Sequence, residues 1–584
     1  MKAFMINKIK YTMLWGGVAL AILGTASCKK DYEAEPLENV TIDYVFDRLD
    51  SLGINAGRYL NGLYADMFPR DVSMNRISGN LLEAATDNAI PSNLEDNPAV
   101  RLLQGQYSAF DRIESDMVWG LLYENIRSAT IFINNIDVVP LNDSKFEALP
   151  TGLTVKRTWK AEARFLRALA YFELLKRYGG IPLMGDEVRS LNDKIELPRS
   201  SYSDCVNYIV SEMDAIRDSL LYYPVPNPSR NSHRVTKGAA MALKARVLLY
   251  AASPLFNGGN IDGGNPVTGY ASFDNNRWQR AADAAKEIMD LGTYALVDDV
   301  RKVFTEQYNA EILFFKQWGN NRDIENTNGP FGFGTQIGGQ GQTSPTQELV
   351  DAFPMADGVP IDQSSNYDLN NPYTGRDPRF YQTILYNGAR WLGTNLQTYI
   401  GGQNRPGGSE LQTRTSYYMK KLMGDFEEAA QYSESQRDYI LFRYTEVVLN
   451  YIEALNEAQG SVPEVLAQLK DLRRRAGVDA GDDGNFGLPT NADKATMRQL
   501  IQNERRIELA FEEHRYWDIR RWKIAENKLN LPLHDMQILE NGGQFTYSRE
   551  EVFQPRFTTA MYLYPIPDSE VLKNNNMEQN PGWN

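Results

Sequence analysis

Between Lys160 and Tyr178 the apolar residues Ala161, Phe165, Ala168, Phe172 and Leu175 recur at steps of three and four, which places them on one face of an α-helix. The pattern returns further on. From Lys237 to Tyr250, Ala240, Leu243, Ala245 and Leu249 stand where Ala163, Leu166, Ala168 and Phe172 stand in the first copy. Arg443–Leu455 is a looser third copy, with Leu449 and Leu455 in register. A second helical pattern follows each copy, at Tyr202–Leu220, Trp278–Leu291 and Val465–Ala476. The repeating unit is therefore a helix pair. Small alanines between large apolar residues let such helices approach closely, which is the packing logic of tetratricopeptide-type arrays. Long insertions between the units exclude a regular solenoid.

The remaining pattern divides the chain. Two more helices are predicted at Tyr59–Phe68 and Met117–Ile136. Between them Asn75–Gln106 is rich in Asn, Pro and Gly, with Asp87 and Asn88 reading as turn or helix-cap residues. After Tyr294 the texture changes. Glu311–Phe315 is a short β-prone run, and Trp318–Pro345 is glycine-rich without helical period, so it reads as one long loop. The Met497–Glu513 pattern predicts a helix carrying Glu504, Arg505, Arg506, Glu508 and Glu512, paired at the surface or an interface, with Ile507 and Phe511 buried. The tail, with Tyr562, Tyr564 and Trp583, is expected to pack back on the body. The fold class is mostly α, with tetratricopeptide-like helix pairs forming one side of a single large domain. The pairs lie near 117–178, 202–291 and 440–513, and a loop-rich lobe with few short strands lies near 310–440.

The N-terminus belongs to targeting. Lys8 and Lys10 precede an apolar run, Met13–Leu23, too short for a bilayer core of about 30 Å. Small residues then lead to Cys28, so 1–27 reads as a lipoprotein signal peptide, 28–584 as the mature domain and Cys28 as the acylated residue, with palmitate among the acyl groups. An ordinary signal peptide followed by an incidental cysteine is the alternative. Removing Lys2, Lys8 and Lys10 makes the formal charge of −14 three units more negative. An acidic chain without a basic stripe excludes nucleic acid as a partner. With Cys28 modified, Cys205 has no cysteine to pair with. Three scattered histidines, His233, His514 and His534, supply no metal site at ligand spacing, and no nucleophile–base motif or nucleotide-binding glycine loop occurs. Catalytic residues and cofactors are therefore expected to be absent, and no residue is assigned as a metal ligand.

The candidate chemistry is that of recognition. Trp318, Phe331 and Phe333 are aromatics in a polar, glycine-rich stretch, and Asn320, Asn321 and Arg322 are hydrogen-bonding groups beside Trp318. An aromatic face stacks on the C–H face of a pyranose while amides and guanidinium groups bond its hydroxyl rim. The alternative is that these aromatics fold back and pack on the body.

The lipoprotein-like start, AEARFLRALAYFELLKRYGGIPL, TKGAAMALKARVLLYAASPLF, PTQELVDAFPMADG, NERRIELAFEEHRYWDIRRW and LYPIP…QNPGW together resemble the SusD/RagB family in order and spacing across the mature chain. The resemblance implies a lipid-anchored protein facing outward on the outer membrane of a Bacteroidetes-type bacterium, touching the membrane through its lipid alone. It further implies capture of an oligosaccharide for a partner TonB-dependent β-barrel transporter (SusC-like), and it adds Asp87 and Asn88 to the ligand face. A peptide-binding member of the family, a glycoside hydrolase and a scaffold without a small ligand are the competing readings. A hydrolase requires two carboxylates facing each other across a cleft.

Overall fold

The alanine-rich periodicity produces a chain of helices in which each packs on the next. The computed structural model describes residues 41–67, 76–146, 149–189, 193–225, 228–334, 337–409 and 411–583. The signal segment and Cys28 lie outside the described residues. Helix α1 is Ile54–Met67, α2 Trp119–Asn135, α3 Val155–Tyr178, α4 Tyr202–Ile216, α5 Lys237–Ala252 and α6 Asn276–Met289. After a long excursion come α7 (Tyr444–Gln459), α8 (Pro463–Arg475), α9 (Lys494–Glu508) and α10 (His514–Arg521). Starts are fixed by side-chain caps. The hydroxyls of Thr154, Ser201 and Thr236 accept from the backbone N–H three residues on, opening α3, α4 and α5. Helix α3 stops at Gly179, whose φ is +77°, and a Cβ there would meet the Val267 carbonyl at 2.6 Å.

The succession is continuous in space. Helix α2 packs on α3, α3 on α4, α4 on α5 and α5 on α6. Helix α6 packs on α7, which also carries α8 and α9. The third pair thus joins the stack directly although residues 290–443 intervene in sequence. Helix α5 is buried on nearly every side, with Ala239, Ala240, Leu243, Ala245, Leu249 and Ala252 all at or below 1% exposure. The tail closes on this body: Tyr564 Oη bonds Asp116 Oδ2 at 2.5 Å, and the Trp583 ring stacks 5.0 Å from that of Tyr107.

Two expectations are corrected. The stretch 318–345 is not one loop. A strand begins at Ile312, runs through Trp318 to Asn321, and is followed by a short helix, Asp323–Asn328, and a strand, Thr343–Pro345. The 497–513 helix ends at Glu508, and α10 begins only at His514. Phe511 and Glu513, at φ +64° each, turn the chain between them. Of the two placements expected for its charges, the structure shows the interface and not the surface: Glu504 and Glu508 are 0% and 1% exposed and pair with Arg379 of the lobe. No described helix is long and apolar enough to cross a membrane.

The strands are short apart from two ribbons. β1 is Ala89–Pro91, β2 Ile312–Asn321, β3 Thr343–Pro345, β4 Ser435–Arg443, β5 Leu533–Asn541 and β6 Gln544–Phe553. Pairs β1–β3, β2–β4 and β5–β6 are antiparallel. The lobe has its own core, in which Leu349, Phe353, Phe380, Trp391 and Tyr418 pack with Ile507 from the last turn of α9 and Phe511 from the turn after it.

Candidate ligand-binding site

The β2–β4 ribbon starts in the core and ends in water. Ile312–Phe315 are buried, Lys316, Gln317 and Trp318 are half-buried, and Gly319 and Asn320 are exposed. The pairing with β4 shifts between Gln317 and Asn320. Gly319 sits in that irregularity at φ +73°, a backbone region that favours glycine. The bulge turns the tip of the ribbon outward.

Trp318 marks the point of emergence. Lys316 lies two residues before it, and therefore on the same face of the strand, with Nζ 5.9 Å from the indole centre. Asn320 extends into solvent opposite Gln436. Asn321 is a turn former: its Nδ2 donates to the Gly319 carbonyl at 3.2 Å and its Oδ1 accepts from the Asp323 N–H at 3.1 Å. The Arg322 guanidinium lies 5.0 Å over the Tyr432 ring, which in turn meets Phe426 edge-on at 5.0 Å. Arginine and tyrosine thus make a flat platform beside the ribbon.

Phe331 and Phe333 sit elsewhere on the lobe. Both are half-buried against its core, so the alternative of aromatics packing back applies to one side of these rings. Their loop is pinned: Asn404 Nδ2 donates to the Phe331 carbonyl at 2.6 Å and Gln403 Nε2 to the Gly332 carbonyl at 2.9 Å. Gly332 is required, since a Cβ there would meet the Gln403 carbonyl at 2.6 Å. The pinning loop also carries Tyr399, whose ring lies 5.6 Å from that of Phe545 on the β5–β6 hairpin. The candidate residues therefore form two aromatic edges, one around Trp318 and Tyr432, the other around Phe331, Phe333, Tyr399 and Phe545.

Asp87 and Asn88 are corrected: neither presents to a ligand. They are 3% and 0% exposed, and their polar atoms are engaged. The Asp87 carboxylate receives both guanidinium arms of Arg515, at 2.8 and 2.7 Å, and Arg506 at 3.2 Å. Burial alone would raise its pKa, but the charges of Arg506 and Arg515 win and hold it well below the usual carboxylate range. Asn88 donates to Glu83 at 2.6 Å and accepts from Arg506 Nε at 2.7 Å. The neighbouring Glu83 is pushed up to about 7 by burial. This cluster clamps the N-terminal segment to α9 and α10. The partners lie more than four hundred residues away, and no local pattern announces them.

Tyr432, Tyr399 and Lys316 escaped the sequence reading. A signal for Lys316 existed: once the strand is extended past Phe315, the two-residue period puts it on the Trp318 face.

Two family descriptions match this chain, "SusD family" over residues 310–583 and "Starch-binding associating with outer membrane" over residues 50–249. The SusD-like protein P2 of Formosa agariphila is 24% identical over 473 residues, 80% of each chain. A SusD-like protein of Bacteroides fragilis, solved by crystallography, is 28% identical over 94% of this chain and 99% of its own, with a TM-score of 0.75. A SusD-like carbohydrate-binding protein from the same species shares the fold at 24% identity, with 90% and 98% coverage and a TM-score of 0.71.

Proposed function

The chain belongs to the SusD family, and on that premise we propose that it is a glycan-binding lipoprotein of the outer membrane. It captures an oligosaccharide at the cell exterior and delivers it to a TonB-dependent β-barrel transporter, without cleaving it. The family description of starch binding at the outer membrane supports the ligand class and the location.

The observation that carries the reading is the ribbon tip. Trp318 stands half-exposed where β2 leaves the core, with the exposed amide of Asn320 and the Arg322–Tyr432 platform beside it. A sugar needs an apolar face to stack on and fixed polar groups for its rim, and this edge supplies both.

The test is binding of purified protein to an array of oligosaccharides, with recovery of the ligand afterwards. Losing a stacking ring costs on the order of 1–3 kcal/mol by analogy with base stacking, so Trp318→Ala is expected to weaken binding about ten- to a hundredfold, with an unchanged Tm. A variant that melts several degrees lower yet binds normally makes Trp318 a packing residue. Shortened oligosaccharides in the recovered material would make the protein a hydrolase.

A further inference from the structure

Beside Trp318 lies a pocket of about 130 Å3, lined by Tyr64, His233, Phe314, Phe315, Lys316 and Gln317. It has room for several waters. Its charges are unbalanced. An ammonium carries three donors, and the one hydrogen bond made by Lys316 Nζ is a long 3.5 Å contact to the Tyr64 carbonyl. No carboxylate lies within ion-pair distance of Lys316 among the described residues.

No described neighbour pairs directly with this charge, although Asp66 is close enough to act on it through space. Arg234, the nearest guanidinium to His233, is held by Glu162 at 2.8 Å, and Glu162 also accepts from the Tyr64 hydroxyl at 2.8 Å. Burial, with Arg234 and Lys316 nearby, holds the His233 imidazole down at about 4, so it is neutral at neutral pH and adds no charge. Burial lowers the Lys316 pKa, with Asp66 opposing. His233 Nδ1 and Trp318 Nε1 are buried and have no hydrogen-bond partner among the described residues. Buried polar groups ordinarily have one.

We infer that this pocket is an anion subsite, in which Lys316 holds the carboxylate or sulfate of an acidic sugar whose ring stacks on Trp318. The natural ligand is then an anionic glycan, an inference that rests on the glycan reading above. The geometry fits such a ligand: cation and ring share one strand face two residues apart, and a uronic acid or sugar sulfate carries its charge just outside the pyranose ring. The chain as a whole is acidic, with a formal charge of −14, and repels polyanions. An anionic ligand therefore needs a local cation that no carboxylate holds in an ion pair, and among the described residues none holds Lys316.

The experiment compares matched probes on the full-length protein in mild detergent. Oligogalacturonate is set against its methyl ester, sulfated carrageenan oligosaccharides against desulfated ones, and both against neutral malto- and β-gluco-oligosaccharides. The expected result is tighter binding of a charged member than of its neutral counterpart. Losing a charge-assisted hydrogen bond is worth about ten- to a hundredfold, so Lys316→Gln should weaken the charged member by that factor, far more than it weakens the neutral one. Lys316→Arg should restore it at unchanged Tm. Preference for the uronate or for the sulfate pair identifies the source of the charge. Neutral glycans bound most tightly, with Lys316→Gln within twofold of the parent, overturn the anion subsite and leave the glycan reading standing. Binding of none of the probes overturns both.

Discussion

Glu508 is a carboxylate with almost no contact with water and four cations around it. Its Oε1 takes Arg475 at 2.7 Å and Arg443 at 3.3 Å, and its Oε2 takes Arg379 at 3.1 Å. Arg443 also binds Glu311 at 2.7 Å and Glu512 at 2.6 Å, and Arg379 binds Asp377 at 2.7 Å. One buried network thus ties the lobe to α8 and α9. Removing a single partner from such a network leaves an uncompensated buried charge, a loss of about 3–5 kcal/mol. Glu508→Gln is expected to destabilise by about that much in urea unfolding; a change below about 1 kcal/mol would mean the arginines find other partners. The pH dependence has a definite sign. Burial alone raises the Glu508 pKa, but Arg475, Arg443, Arg379 and Lys421 pull it well below the ordinary value. Glu504 is likewise lowered, its burial outweighed by Arg379 and Arg473, and so is Glu512, by Arg443 and Lys421. Depressed carboxylates contribute stability that is full above the unfolded value of about 4.3 and lost as pH falls below it. Tm should therefore drop steeply in acid, and less steeply in Glu508→Gln. Glu83 runs the other way. Its folded value of about 7 means that its contribution declines as pH rises between the unfolded value and about 7. Glu83→Gln should flatten a mild loss of Tm over that window.

At the scale of elements, the helix pairs are held by close approach. Ala245 on α5 is 1% exposed, in a helix that meets α4 on one side and α6 on the other. Ala245→Leu adds three carbons where no space exists and is expected to cost about 1–3 kcal/mol by overpacking. Unchanged thermal unfolding would show that the interface yields. This is also why the helices were legible: alanine spacing is a local property, and α3, α5 and α7 end within a few residues of their sequence expectations. The ribbon was half legible. Ile312–Phe315 looks like a strand because it is apolar, whereas Lys316–Asn321 is polar and is extended because β4, more than a hundred residues later, supplies its hydrogen bonds. The β5–β6 hairpin passed unnoticed, since most of its outer half is exposed and lacks a long apolar alternation. At the candidate site, Trp318 and Arg322 stand out in the sequence by type and setting, and the structure places both, half-buried, near the tip of the ribbon. Asp87 and Asn88 misled because a stretch rich in Asn, Pro and Gly looks solvent-facing, whereas two distant arginines, Arg506 and Arg515, engage both residues in the interior.

At the scale of the molecule, two attachments are proposed, a lipid on Cys28 and docking of the protein on a transporter, and they are separable. Cys28 precedes the first described residue, Thr41, by thirteen positions. At up to about 3.5 Å per residue this chain reaches no more than about 45 Å, so the proposed lipid on Cys28 would keep the end carrying Thr41 close to the outer leaflet. Leu49, at 87% exposure, and Tyr44, at 59%, are exposed at that end. The stacked helix pairs give the protein an extended side of the kind repeat proteins use to hold partners. Deleting the transporter gene and substituting the cysteine distinguishes the two attachments. The parent protein should remain in the membrane fraction in either background. Cys28→Ala should be released when the transporter is absent, and should still be recovered with it, under mild detergent, when the transporter is present. A Cys28→Ala protein that pellets with membranes lacking the transporter would show that lipid is not the anchor. One that is released even with the transporter in place would show that lipid alone keeps the protein at the membrane and that the complex is at most transient.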